Sequence, residues 1–359
     1  SHGIDDIKQI TILKKDDNLN FYLLGRIHLW IIYEYFKTKD LRNKDKYDLD
    51  KKDEEKYLNY INKVFYFFKK IINIELIISF NARYPGEIIC QNLDKNLKIK
   101  YIVLQKECLF TESALLNLKN FFLKRKKFNG DHLTTYNEQY KDMLLSTNFV
   151  NKDKITVIGM NRADKYFSLT NKNQNHILYL LIRPNSGLIE NDTSFSWHDL
   201  AETSLKITLD NAEKNQKMKF IFKAKILNDK ETFPQQELIK KKSLKNCSIV
   251  SGGDSYSLIK DAKLVIAFNS TAIFESLACK KKILIPYFQN YSEYLNNYIV
   301  NTLNSPNIFH AKTEKEMIDY LDKISSEKNE LIYEESTNDK KLLDFYLGNS
   351  DGNSTSRLV

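Results

Sequence analysis

The sequence predicts an α/β protein made of two doubly wound, Rossmann-like domains facing a cleft. Three observations predict it: a length beyond that of one core, an alternation of helix-spaced stretches with continuous apolar runs, and polar residues gathered just after those runs. At 359 residues the chain exceeds the roughly 250–300 at which a single core stops growing, so two domains are the default. Apolar runs without alternation belong to strands buried on both faces, as in parallel sheets covered by helices. In such sheets ligands meet the carboxyl ends of the strands. Hydrophobic residues at 42% and charged residues at 28% suit a folded chain rather than a disordered one.

Taken in order, Ile10–Leu13 is a short strand and Asn20–Lys37 has helical spacing. The charged stretch Thr38–Lys52 reads as an exposed loop. Glu54–Ile72 is again helical, with Tyr57, Tyr60, Ile61, Val64, Phe65 and Phe68 on one stripe. Glu75–Phe80 (ELIISF) and Lys100–Leu104 (KYIVL) are strand-length apolar runs. Beyond Asn129-Gly130 a polar helix is expected over Thr135–Thr147, then a strand over Lys154–Ile158 closed by Gly159. Asn161–Asn175 is polar and turn-rich and takes the domain boundary.

A second alternating series opens with strand His176–Ile182 and helix Trp197–Asn215. Strands Lys217–Lys223 and Cys247–Val250 follow, then a short helix Ser255–Ile259 and strand Lys263–Phe268. Helix Ala272–Cys279 and strand Lys282–Pro286 complete the core, and helices Glu314–Ser326 and Asp339–Leu347 come last. The expected division is 1–160, 161–338, and a helix and tail over 339–359.

Composition narrows the partners. No stretch approaches the ~20 apolar residues of a membrane span; Phe21–Phe36 is interrupted by Arg26, His28 and Glu34. Cys90, Cys108, Cys247 and Cys279 show no CxxC spacing, which favours free thiols in a reducing compartment, and a cytoplasmic location is expected. The net charge of +9 suits anionic partners such as nucleotide-sugars, lipid-linked acceptors or the anionic face of a membrane, and equally a lysine-rich solvated surface. Basic runs at Lys124–Lys127, Lys240–Lys242 and Lys280–Lys282 are short and lack interleaved aromatics, so nucleic acid is not an expected partner.

The residues that could carry chemistry follow strands. Asn269-Ser270-Thr271 leaves a buried strand and opens a helix, where free amide donors suit phosphate. Glu275 lies one turn further on the same face and could accept from a ribose diol; the plain alternative is a cap followed by a surface carboxylate. Arg162, within Ile158–Asp164, offers a bidentate fork to phosphate or carboxylate, or a hinge salt bridge to Asp164. Arg183 follows one strand, and Lys223 with Lys225 another; cations there would neutralise a leaving phosphate, and no metal is expected. In the first half Glu107 and Glu87 follow strands and could deprotonate a hydroxyl. Glu107 could equally pair with neighbours. The lone histidines His28 and His132 read as structural. The tail Leu347–Arg357 is turn-rich.

From Ser251 to Pro286 the order is short helix, strand, N-S-T turn, glutamate-bearing helix and strand. This passage resembles the donor-binding region of GT-B fold glycosyltransferases, and more narrowly the bacterial surface-carbohydrate and capsule biosynthesis transferases, with polyglycerol-phosphate transferases as distant relatives. The resemblance implies phosphate at Ser270 and Thr271 and ribose at Glu275, with Asn269 among the donor-binding residues and Arg162 of a "G.pR.D" element facing the cleft as another. It implies Glu107 of a "KE" pair as the base, and the strand positions add Arg183 and Lys223 on the leaving group. Similar "DG.ss.R" endings occur in the same families, where the last helix returns to the first domain. Cys279-Lys280-Lys281-Lys282 departs from the family pattern, with Ile283 in place of its proline. The implied activity is metal-independent sugar transfer from a nucleotide-sugar to a glycan or lipid-linked glycan hydroxyl, with 1–160 on the acceptor side and 161–338 binding the donor. The alternatives are a CDP-polyol phosphotransferase, against which the absent His-Gly pair argues, and a non-catalytic nucleotide-sugar-binding scaffold. A hydrolysing nucleotide-sugar 2-epimerase shares this fold but would want several acidic residues and a histidine in the cleft, which the sequence does not offer.

Overall fold

A computed structural model describes residues 51–358 apart from 83–89, 107–110, 168–173, 184–196, 226–231, 254, 289–298, 303 and 327–330. The expected strand Ile10–Leu13 and helix Asn20–Lys37 lie outside the described residues. The chain forms two compact units, one made of residues up to 107 with 118–162 and 355–359, the other of 108–117 and 163–354.

The first unit holds four parallel strands in the order β1-β2-β3-β4: β1 Leu76–Ser79, β2 Lys100–Leu104, β3 His132–Thr135 and β4 Ile155–Val157. Helix α1 spans Lys51–Ile72, α2 Glu112–Leu123 and α3 Glu138–Ser146. Helix α1 therefore begins two residues inside the stretch expected as loop. Ile61 and Phe65 of α1 are buried, as are Phe122 of α2 and Phe149, whose rings meet at 4.6 Å. Fully burying such side chains contributes on the order of 1.5–3 kcal/mol each.

One expectation needs correcting here. Thr135 ends a strand and does not begin a helix. The helix starts after Asn137, whose Oδ1 accepts from the Tyr140 amide at 3.0 Å and so caps it. Strand β3 (HLTT) escapes a search for apolar runs because half of it is threonine. The hydroxyl of Thr134 is nonetheless accommodated, donating to the Val103 carbonyl across the ladder at 3.4 Å.

The second unit carries six parallel strands in the order β10-β9-β8-β5-β6-β7. They are β5 His176–Leu180, β6 Lys219–Ala224, β7 Cys247–Ser251, β8 Ala262–Ile266, β9 Lys282–Pro286 and β10 Ile308–Ala311. The chain enters at the centre on β5, steps outward through β6 and β7, returns to β8 beside β5, and steps outward the other way. This is the doubly wound order, with its switch point between β5 and β8. The helices are α4 Asp164–Phe167, α5 Trp197–Lys214, α6 Phe233–Lys242, α7 Tyr256–Lys260, α8 Ala272–Ala278, α9 Glu314–Ser326 and α10 Thr337–Leu347; a last helix, α11 Ser354–Leu358, belongs to the first unit from Thr355 on. Every residue of β8 and α8 is buried. Ile177, Tyr179, Phe222, Leu264 and Ile266 of the sheet pack with Leu205 and Leu209 of α5 and Leu321 of α9 in one core. Strand β10 and helix α6 were not expected; α6 buries Gln235 and Gln236, so no apolar stripe announces it. Among the described residues no helix is long and apolar enough to cross a membrane.

Candidate functional site

The switch point brings the carboxyl ends of β5 and β8 side by side. From β5 the chain continues as Leu181-Ile182-Arg183, the Leu181 amide still paired to the Lys223 carbonyl at 3.0 Å. From β8 it continues as Ala267–Thr271 into α8. Asn269 has φ of 45°, in the left-handed region that asparagine enters more readily than most residues. Its Oδ1 accepts from the Val300 amide at 3.1 Å, which ties the turn to the segment after β9. Ser270 Oγ accepts from the Ala272 amide at 3.3 Å, whereas Thr271, at the cap position, makes no side-chain cap bond. Arg183, Ser270 and Thr271 are all half-exposed. Beneath them, buried Trp197 packs edge-on to Phe268 at 5.0 Å.

Glu275 is not an ordinary surface carboxylate. It is 8% exposed, and its Oε2 accepts from the Tyr166 hydroxyl at 3.2 Å. The Tyr166 ring meets Tyr256 edge-on at 5.3 Å, and Lys165 Nζ lies 5.5 and 5.6 Å from the two ring centres. One turn on, burial pushes the Cys279 thiol well up. Lys223 differs from expectation: it lies inside β6 rather than after it, because the strand extends to Ala224. Its buried Nζ donates to the Gly252 carbonyl at 2.6 Å and to the Ala224 carbonyl at 3.3 Å, which braces the turn after β7.

At the strand ends of the first unit, Arg162 is 6% exposed. Its Nη1 donates to the Lys106 carbonyl at 3.1 Å and to the Tyr136 hydroxyl at 3.0 Å. Gln105 Oε1 accepts from the Tyr136 amide at 2.6 Å. Glu107, Glu87 and His28 lie outside the described residues. His132 Nε2 sits 2.9 Å from Thr156 Oγ1 on the neighbouring strand, and burial holds its pKa below the ordinary histidine value. Asp164 Oδ1 accepts from Asn349 Nδ2 at 2.7 Å and from the Ser354 amide at 3.1 Å, and Arg357 Nε donates to the Ile158 carbonyl at 2.9 Å. The "G.pR.D" element and the turn-rich tail thus meet each other in space. Tyr166 was missed, and among 21 tyrosines no sequence signal marks it. Among the described residues no group of three or more His, Cys, Asp or Glu could hold a metal ion.

No family model matches the sequence, and no curated protein matches it. Solved structures do share its fold. The UDP-GlcNAc 2-epimerase of Methanocaldococcus jannaschii matches with a TM-score of 0.52 at 13% identity, over 99% of this chain and 95% of that one. S. aureus MnaA, solved with UDP, matches with a TM-score of 0.51 at 11% identity, over 99% and 91%. The UDP-GlcNAc 2-epimerase of Neisseria meningitidis bound to UDP-GlcNAc matches at 0.50 with 13% identity, over 100% and 96%. At these identities the likeness is one of fold: two Rossmann-like units with parallel sheets, the GT-B class expected from the sequence.

Proposed function

We propose that this chain is an enzyme acting on a nucleotide-sugar, bound at the switch point of the six-stranded sheet, and that it transfers the sugar to a hydroxyl of a surface-glycan acceptor without a metal. The observation that carries the reading is the juxtaposition, at adjacent strand ends, of half-exposed Arg183 with the Ser270–Thr271 turn. Parallel α/β sheets bind ligands at that position. In this reading Ser270 and Thr271 donate to the diphosphate and Asn269 holds their turn in shape. Arg183 takes up charge on the leaving nucleotide as the bond from the anomeric carbon to phosphate oxygen breaks. Glu275 accepts from the ribose. Lys223 keeps the neighbouring turn in place, and Arg162 positions the Lys106 carbonyl. Glu107 is assigned the acceptor proton on the strength of the sequence resemblance.

A thermal-shift screen against UDP-, GDP-, CDP- and CMP-linked sugars tests the site. At least one should raise the melting temperature, and Ser270→Ala combined with Glu275→Ala should abolish the rise. Stabilisation by none of them sinks the donor-site assignment. A second reading, interconversion of a nucleotide-sugar with its 2-epimer, is favoured by the epimerases among the structures of the same fold. It predicts that UDP-GlcNAc alone yields an isomeric product by NMR, whereas a transferase leaves the sugar unchanged until a glycan acceptor is added. A scaffold would bind nucleotide and turn over neither.

A further inference from the structure

Helix α4 is only Asp164–Phe167, too short to hold its orientation by its own hydrogen bonds. Tail residues hold it instead. Asp164, 9% exposed, receives both Asn349 Nδ2 and the Ser354 amide on one carboxylate oxygen. Asn349 Oδ1 accepts in turn from the Gly352 amide at 2.8 Å. Gly352 has φ of 73°, and a Cβ there would come within 2.8 Å of Phe167 Cβ, so the tail approaches the helix closely. Two residues beyond Asp164, on the clamped helix, Tyr166 is 2% exposed and directs its hydroxyl to Glu275 Oε2 at 3.2 Å. Its ring is fixed edge-on against Tyr256.

We propose that Tyr166 is a positioning residue for ribose recognition, and that tail residues 349–354 act on the same site by holding Tyr166 in place through Asp164. The inference rests on the reading of Glu275 as the ribose contact. A glutamate carboxylate turns readily about its last torsion. A hydroxyl bonded to one oxygen restrains that rotation and with it the direction in which the carboxylate accepts. Vicinal ribose hydroxyls, which need an acceptor at fixed distance and direction, would gain most from that constraint.

The test is the ratio of dissociation constants, by calorimetry, for UDP, GDP and CDP against their 2′,3′-dideoxy counterparts. Wild type should favour the ribonucleotide by about tenfold or more, since the diol bonds a charged acceptor. Glu275→Ala should bring the ratio near unity. Tyr166→Phe keeps the packing on Tyr256 and removes one oxygen; it should cut the ratio by about threefold or more with the dideoxy affinity unchanged, and Asn349→Ala should do the same. A merely structural lesion would weaken both ligands together. If Glu275→Ala abolishes the preference while Tyr166→Phe keeps it whole, the positioning role is overturned and the ribose reading stands. If Glu275→Ala keeps the preference, or no nucleotide binds, the ribose reading falls and the positioning role with it.

Discussion

Arg162 and Arg183 follow parallel strands, one in each unit, and the molecule treats them in opposite ways. Arg162 is buried, and its guanidinium is bonded to a carbonyl and a phenol of its own unit. Arg183 is half-exposed beside a turn that is also half-exposed. Together with Gln105 on the Tyr136 amide, the first shows an arginine and a glutamine spent on groups of their own unit. The second places a half-exposed arginine and a half-exposed turn at neighbouring strand ends. Equal position after a strand does not make two arginines equally buried: Arg162 is 6% exposed and Arg183 is half-exposed.

Removing each arginine should separate the two edges. Arg162→Ala should have the largest effect, lowering stability by about 2–3 kcal/mol because a buried carbonyl and phenol lose a charged partner. Urea unfolding measures this, and an unchanged midpoint with lost nucleotide binding would move Arg162 to the ligand and erase the contrast. Arg183→Ala should leave stability within about 0.5 kcal/mol but weaken nucleotide-sugar binding about tenfold, or ~1.4 kcal/mol, by calorimetry. Ser270→Ala removes the acceptor for the Ala272 amide and should cost about 1 kcal/mol or less of stability. A loss much larger than that would mean the turn is built for rigidity rather than for a ligand.

Acid should sharpen the comparison by the smallest margin. Burial holds His310 down to about 4 and His176 below its ordinary value in the second unit, while only His132 is so held among described residues of the first. Each is lowered from an unfolded value near 6.5, so its contribution is complete above about 6.5 and is lost as pH falls through the folded value. The melting temperature should therefore drop between pH 6.5 and 4. The drop should be shallower in His310→Gln, and a slope unchanged by that substitution would remove His310 from the account.

Much of the fold was legible because parallel strands buried on both faces write themselves as apolar runs. KYIVL is a strand over Lys100–Leu104, and helix Glu314–Ser326 has the expected bounds. Among what escaped were elements that bury polar residues, such as β3 with its threonines and α6 with Gln235 and Gln236. At the candidate site the Asn269–Thr271 turn was visible since it interrupts a hydrophobic stretch next to a strand. Tyr166 was not, because its partner Glu275 lies 109 positions away. Periodicity reports what a residue faces along its own element, not what arrives from a distant one.

The tail over α4 bears on how the protein is made. Ser354 reaches Asp164 across 190 positions and Arg357 reaches Ile158 across 199. Asp164 is buried in the finished fold with these partners. During synthesis, at about 5–20 residues per second, Asp164 therefore emerges many seconds before the groups that neutralise its burial. Until then α4 lacks its partners from the tail and is left with contacts such as those of Tyr166 with Glu275 and Tyr256. A nascent chain halted before Asn349 would hold both parallel sheets and still lack the clasp on Asp164. Pulse-labelling of the growing chain should then find the second unit protease-sensitive until residues 349–357 have left the ribosome.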